Sequence, residues 1–176
     1  GNLQRLSLGN QQITDISALE ALGGLTSLEI FNCPIESIAV VGTLSKLQHF
    51  TMDNCSGITD ISPLAGCTEL RELVMTNCKA EDFSALAQLG DIDFLHLQCV
   101  DPAKFLPYLQ GKIVRQLKIG SAELSSFSDL SGIIGLEDLI IDYMDIPSLE
   151  GAQTLTDLKY LTLLSVSQTD LSPLLN

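Results

Sequence analysis

Apolar residues return along this chain at a nearly constant interval. Units begin at Leu3, Leu25, Leu47, Leu70, Ile92, Val114, Leu136 and Leu158, and every step is 22 residues except the third, which is 23. Counted from those starts, positions 1, 4 and 6 are apolar in all eight units, from Leu3, Leu6 and Leu8 in the first to Leu158, Leu161 and Leu163 in the last. The intervening positions 3, 5 and 7 are mostly polar. That alternation of period two predicts one short strand per unit.

A second apolar anchor follows each strand, at Ile16, Ile38, Ile61, Phe83, Phe105, Phe127, Leu149 and Leu171. The residue before it is Asp15, Ser37, Asp60, Asp82, Lys104, Ser126, Ser148 or Asp170. Ser and Asp side chains accept backbone N–H groups at helix starts, so a short helical or 3₁₀ turn is predicted there. A unit this small cannot bury its apolar side alone, so neighbours must stack. The expected fold is α/β: a right-handed solenoid with a concave parallel sheet and short 3₁₀ or helical turns on the convex side. It is read as one domain over residues 1–176, with the eighth unit incomplete at Asn176. Unit five breaks the pattern with Pro102, Lys104 in the capping position, Pro107, and Gly111 in place of an apolar anchor. A distorted convex segment is expected over residues 101–113.

The motif LxxLxLxxN/CxI, seen in LQRLSLGNQQI (residues 3–13) and LEDLIIDYMDI (136–146), resembles the leucine-rich repeat family. The 22-residue unit with ITDISPL or TDLSPL is similar to the short class found in bacterial internalins and in a phosphatase regulatory subunit. The arrangement NC-GITD-LAGC has features of the cysteine-containing class. The resemblance spans essentially the whole chain. It implies a non-enzymatic protein-recognition module whose concave face takes a protein partner. Two alternatives are a structural spacer in a longer surface protein and a docking regulator of an enzyme such as a phosphatase.

Charge narrows the partner. The chain carries 22 acidic and nine basic residues, a net −13. Such a surface repels phosphate backbones and anionic membranes, so nucleic acid is not an expected partner. No apolar run is long enough to span a bilayer, so no membrane insertion is expected. No charged start followed by an apolar run marks a signal peptide. Gly1 opens almost directly onto the patterned segment, which reads as excision from a longer chain. A monomer is expected. The compartment stays open. The internalin resemblance implies a bacterial cell surface or extracellular setting, whereas unpaired cysteines favour a reducing cytoplasm.

The five cysteines mostly report the period. Cys33, Cys55, Cys78 and Cys99 fall 22, 23 and 21 residues apart, and Cys67 occupies a convex slot held elsewhere by leucine. Cys33, Cys55 and Cys78 are read as inward packing residues, and free thiols are expected. A linear ladder does not converge four ligands on zinc, so no metal is expected. No cofactor or catalytic residue is expected either. His96 and Cys99 lie too far apart along an extended chain to act as a base and nucleophile. His49 and Glu72 share a position in adjacent units and are predicted to form a surface pair. Asn10, Asn32, Asn54 and Asn77 form a row at position 8, read as tolerating left-handed turns.

The residues that the repeat leaves free lie at positions 2, 3, 5, 7 and 8. These 40 positions hold seven acids and five bases, so most of the negative charge lies elsewhere. Phe31, Phe94, Tyr143 and Tyr160 also fall there, while Phe50, Phe83, Phe105, Phe127 and Tyr108 take core slots. Aromatic residues dominate interface hot spots. Two clusters are expected to adjoin: Val74, Phe94 and His96 flanked by Lys118, and Ile140, Tyr143, Tyr160 and Leu164. With Phe31, His49 and Glu72, these form the candidate partner-binding set.

Overall fold

The computed structural model describes residues 2–167 and 170–175. Eight strands form one parallel sheet in chain order: β1 (Arg5–Gly9), β2 (Ser27–Phe31), β3 (His49–Asp53), β4 (Glu72–Thr76), β5 (Ile92–Gln98), β6 (Val114–Gly120), β7 (Asp138–Asp142) and β8 (Tyr160–Leu164). Each residue pairs with its equivalent in the next unit, as Leu6 does with Leu28 and Leu28 with Phe50. The alternation explains the register. A one-residue slip would turn every buried leucine of a strand to solvent.

The core runs the length of the solenoid as a stack of rows. Leu28, Phe50, Leu73, Leu95, Leu117 and Leu139 form one fully buried row, and Ile38, Ile61, Phe83, Phe105, Phe127 and Leu149 form the facing row. The Phe83 and Phe105 rings meet at 6.2 Å in a tilted geometry. Tyr108, read from the repeat as a core residue, is only partly buried.

Among the described residues, 3₁₀ turns close the convex side at Ser17–Ala21, Ala39–Thr43, Ser62–Gly66, Ser84–Gln88, Leu106–Leu109, Phe127–Leu130, Ala152–Thr154 and Ser172–Leu175. The predicted capping residues do cap them. Asp15, Asp60 and Asp82 carboxylates each accept the backbone N–H two residues on, at 2.8 Å. Ser37 and Ser126 hydroxyls accept in the same way, whereas Ser148 accepts from Glu150 N, ahead of the Ala152–Thr154 turn.

Unit five is irregular over this segment, as its break in the pattern predicts. Lys104 does not cap; its ammonium pairs with Glu81 of unit four. The turn instead starts three residues earlier, where Asp101 accepts from Ala103 N at 2.9 Å and Pro102 opens a one-turn helix, α1 (Pro102–Phe105). Proline suits that first position because its missing N–H would have been unpaired there. Gly111 then takes φ +76°. The segment is rebuilt around a capped helix rather than merely distorted.

The extra residue of unit three is absorbed just after β3, in a turn closed by Ile58 N donating to Cys55 O at 3.1 Å. Gly57 lies against Ile35 O, which leaves no room for a side chain. No helix among the described residues is long and apolar enough to cross a membrane.

Candidate functional site

Because side chains alternate across a strand, positions 3, 5 and 7 project from the open face of the sheet in three columns. The first column reads Arg5, Ser27, His49, Glu72, Phe94, Gln116, Asp138, Tyr160. The second reads Ser7, Glu29, Thr51, Val74, His96, Lys118, Ile140, Thr162. The third reads Gly9, Phe31, Asp53, Thr76, Gln98, Gly120, Asp142, Leu164.

The register brings the first predicted cluster together. Val74 stands directly opposite His96, and His96 opposite Lys118. Phe94 lies beside them, its ring centroid 6.2 Å from that of His96. All four are half-buried. The His96 Nε2 is buried without a hydrogen-bond partner. Burial first, and the Lys118 ammonium second, hold the His96 pKa below its ordinary value, so the ring is neutral at neutral pH.

His49 and Glu72 pair as expected, with Nδ1 2.9 Å from the carboxylate. They belong to a shallow polar dish of about 400 Å³ at the N-terminal half of the face, shared with Arg5, Ser7, Glu29 and Thr51. The sequence did not gather those four residues, because nothing in their spacing marks them beyond the repeat. Phe31 serves its own neighbourhood. Its ring covers Gly9 on the adjacent strand and fills the space a side chain there would need.

The second predicted cluster is looser than expected. Tyr160 faces Asp138, Ile140 faces Thr162, and Leu164 faces Asp142. No two of its apolar groups face each other across the register, and polar neighbours lie between them. Tyr143 projects from the rim turn instead of the strand. Tyr143 and Tyr160 are each 65% exposed and Leu164 is 46% exposed.

Position 8 is uniform in backbone, not in side chain. Asn10, Asn32, Asn54, Asn77, Cys99, Ser121, Tyr143 and Ser165 all take positive φ, between +51° and +62°. Asparagine tolerates this conformation well and tyrosine poorly. The asparagines also join each other: Asn32 Nδ2 donates to Asn10 Oδ1 at 2.9 Å, and Asn54 Nδ2 to Asn32 Oδ1 at 2.7 Å.

The cysteines are all unpaired. Cys33 and Cys55 thiols point inward and donate to turn carbonyls, at 3.5 Å to Phe31 O and 3.4 Å to Asp53 O. They are weak hydrogen-bonding groups as well as packing residues. Cys67 is fully buried, and burial pushes its pKa up to about 11. Among the described residues, no three His, Cys, Asp or Glu side chains group as a metal site.

Comparison with known proteins agrees with this geometry. A family model described as leucine-rich repeats (2 copies) matches residues 1–45. No curated protein sequence matches the chain. Among solved structures, an internalin (inlF) from Listeria monocytogenes superposes with a TM-score of 0.74 at 24% identity, covering 98% of this chain and 51% of that one. An internalin C2 (inlC2) from the same organism gives 0.73 at 24% identity, covering 92% of this chain and 71% of the other. A leucine-rich-repeat protein of Leptospira interrogans gives 0.58 at 18% identity, over 94% of this chain and 38% of that one. The chain thus spans about half the length of the first of these structures. In fold, this chain is a leucine-rich-repeat solenoid.

Proposed function

We propose that the chain is a non-enzymatic protein-recognition module that engages a protein partner on its concave face, centred on Val74, Phe94, His96 and Lys118. Leucine-rich-repeat folds generally mediate protein–protein interaction, and their members are typically recognition modules rather than enzymes. The observation that carries the reading is the direct abutment of these four side chains in mid-sheet. It combines an aromatic ring, an aliphatic group, a neutral imidazole with an unused nitrogen, and a cation. Such a mixture of apolar area with a few oriented polar groups is what an interface hot spot needs. Tyr160, with Ile140, Tyr143 and Leu164, extends the contact toward the C-terminal end, and Phe31 with the His49–Glu72 pair extends it toward the N-terminal end.

The test is a Phe94→Ala, Tyr160→Ala double variant in a partner-capture assay, with thermal melting in parallel. Capture should be abolished while the melting temperature stays unchanged, since both rings lie on the open face. Undiminished capture would sink the concave-face assignment.

A further inference from the structure

We infer that the convex side carries a second docking site, a groove between units five and six that takes an extended basic segment of a partner protein. The groove encloses about 540 Å³ and is walled by Asp101, Ala103, Leu106 and Pro107 on one side and by Glu123 and Asp129 on the other. It exists because unit five is irregular. The 3₁₀ turns of units one to four pack on one another in sequence, but the Leu106–Leu109 turn does not stack on Phe127–Leu130 in that way. The gap is bridged by Gln110, whose amide donates to Leu106 O and to Asp129 O, each at 3.3 Å. It is therefore a braced feature of the fold.

Charge selects the occupant. Three carboxylates line the groove and no cation does. The two lysines of unit five are both turned to unit four: Lys104 pairs with Glu81, and Lys112 Nζ donates to Leu89 O at 2.6 Å. None of Asp101, Glu123 and Asp129 belongs to an ion pair among the described residues. Their carboxylates are also not gathered as a metal site. They are spread along the walls, which fits several positions of a peptide better than one small ion. Leu106 is buried beneath and Pro107 stands exposed at the edge, so an apolar side chain between basic ones finds a surface of its own kind. A nucleic acid or an anionic lipid would be repelled by the same carboxylates.

The experiment is fluorescence polarisation with a labelled octapeptide of alternating arginine and leucine, and with its glutamate-for-arginine counterpart. Saturable one-to-one binding of the arginine peptide is expected, with none of the glutamate peptide. Reversing two wall charges, in Glu123→Lys with Asp129→Lys, should weaken binding by about tenfold, the combined effect of two exposed ion pairs and the new repulsion. Ala103→Trp, which fills the groove from an exposed position without altering charge, should weaken it comparably. Glu20→Lys with Glu36→Lys makes the same net-charge change far from the groove and should leave binding within about twofold. Absence of saturable binding, equal binding of the glutamate peptide, or an equal loss in the distant variant would each overturn the proposal. Thermal melts confirm that each variant is folded, and Ala103→Trp keeps the test decisive if the double reversal is not.

Discussion

Units one to four and units five to eight share one sheet, yet they differ at both of its margins. In the first half, position 8 is always asparagine, position 9 is cysteine in three units, and each convex turn is a five-residue 3₁₀ segment. In the second half, position 8 holds Cys99, Ser121, Tyr143 and Ser165, and the 3₁₀ turns shorten to three or four residues. The backbone at position 8 hardly notices: φ stays positive throughout. Stacking imposes the geometry, and side chains that suit it are optional. The first half uses residues that satisfy the repeat. The second half departs from them, and there the structure presents exposed aromatics and an open groove.

The junction between the halves should be the most sensitive point. Phe83→Ala removes a fully buried ring that packs against Phe105 across it and should cost about 3–5 kcal/mol in chemical denaturation. A cost no larger than that of an exposed substitution would mean that the halves are not coupled through their core. Next in size is the displaced cap. Asp101→Ala should cost about 1 kcal/mol, while Lys104→Ala should cost less, because its contact with Glu81 is an exposed ion pair. The reverse order would contradict the assignment of the cap to Asp101.

A gain is expected where the second half departs from asparagine. Tyr143→Asn places a residue suited to φ +52° where a largely exposed ring now stands, and should stabilise the fold by about 1 kcal/mol. The same change should weaken partner capture. Stabilisation with undiminished capture would remove Tyr143 from the binding surface.

The smallest effect is a difference in acid sensitivity. Asp15, Asp60 and Asp82 are held below the ordinary carboxylate value by hydrogen bonds. The backbone N–H of Ser17 and Ser84 contributes most for Asp15 and Asp82, and the hydroxyl of Ser62 for Asp60. A carboxyl depressed in the folded state stabilises above its unfolded value, and that stability is lost as pH falls through the folded value. The turn of unit six is capped instead by Ser126, and Ser148 holds the approach to that of unit seven; neither hydroxyl titrates there. Pepsin cleavage followed from pH 4 downward should therefore open the turns of units one, three and four before those of units six and seven. Simultaneous opening would contradict the assignment of the caps.

Much of this is legible in the sequence. The strands, their register, the capping residues and the His49–Glu72 pair follow from counting, because a repeat that fixes one unit fixes its neighbours. Unit five defeats the count. Counting from the strand places Lys104, which cannot cap, in the capping position, whereas the chain uses Asp101 with Pro102, a local signal that overrides the period. The second cluster is looser than its columns suggest because sharing a column is not contact: Asp138, Thr162 and Asp142 interleave with its apolar groups. The strain at Tyr143 is invisible in the sequence, since it belongs to a backbone set by stacking. So is the groove, which is made by looser stacking of two convex turns and by no motif in either.

That looser stacking also has a mechanical meaning. In units five and six the sheet is at its widest, with seven-residue strands β5 and β6 held edge to edge, while the convex sides are joined by Gln110 donating to Asp129 O and by Gly111 N donating to Gly132 O. The joint is thus held by paired strands at its front and by a few hydrogen bonds at its back. Bending about that joint narrows or widens the convex groove. It also changes the curvature between Phe94 and Gln116 and between His96 and Lys118 on the opposite face. Both surfaces of this protein therefore flank one joint of the solenoid, and the geometry of that joint sets the shape of each.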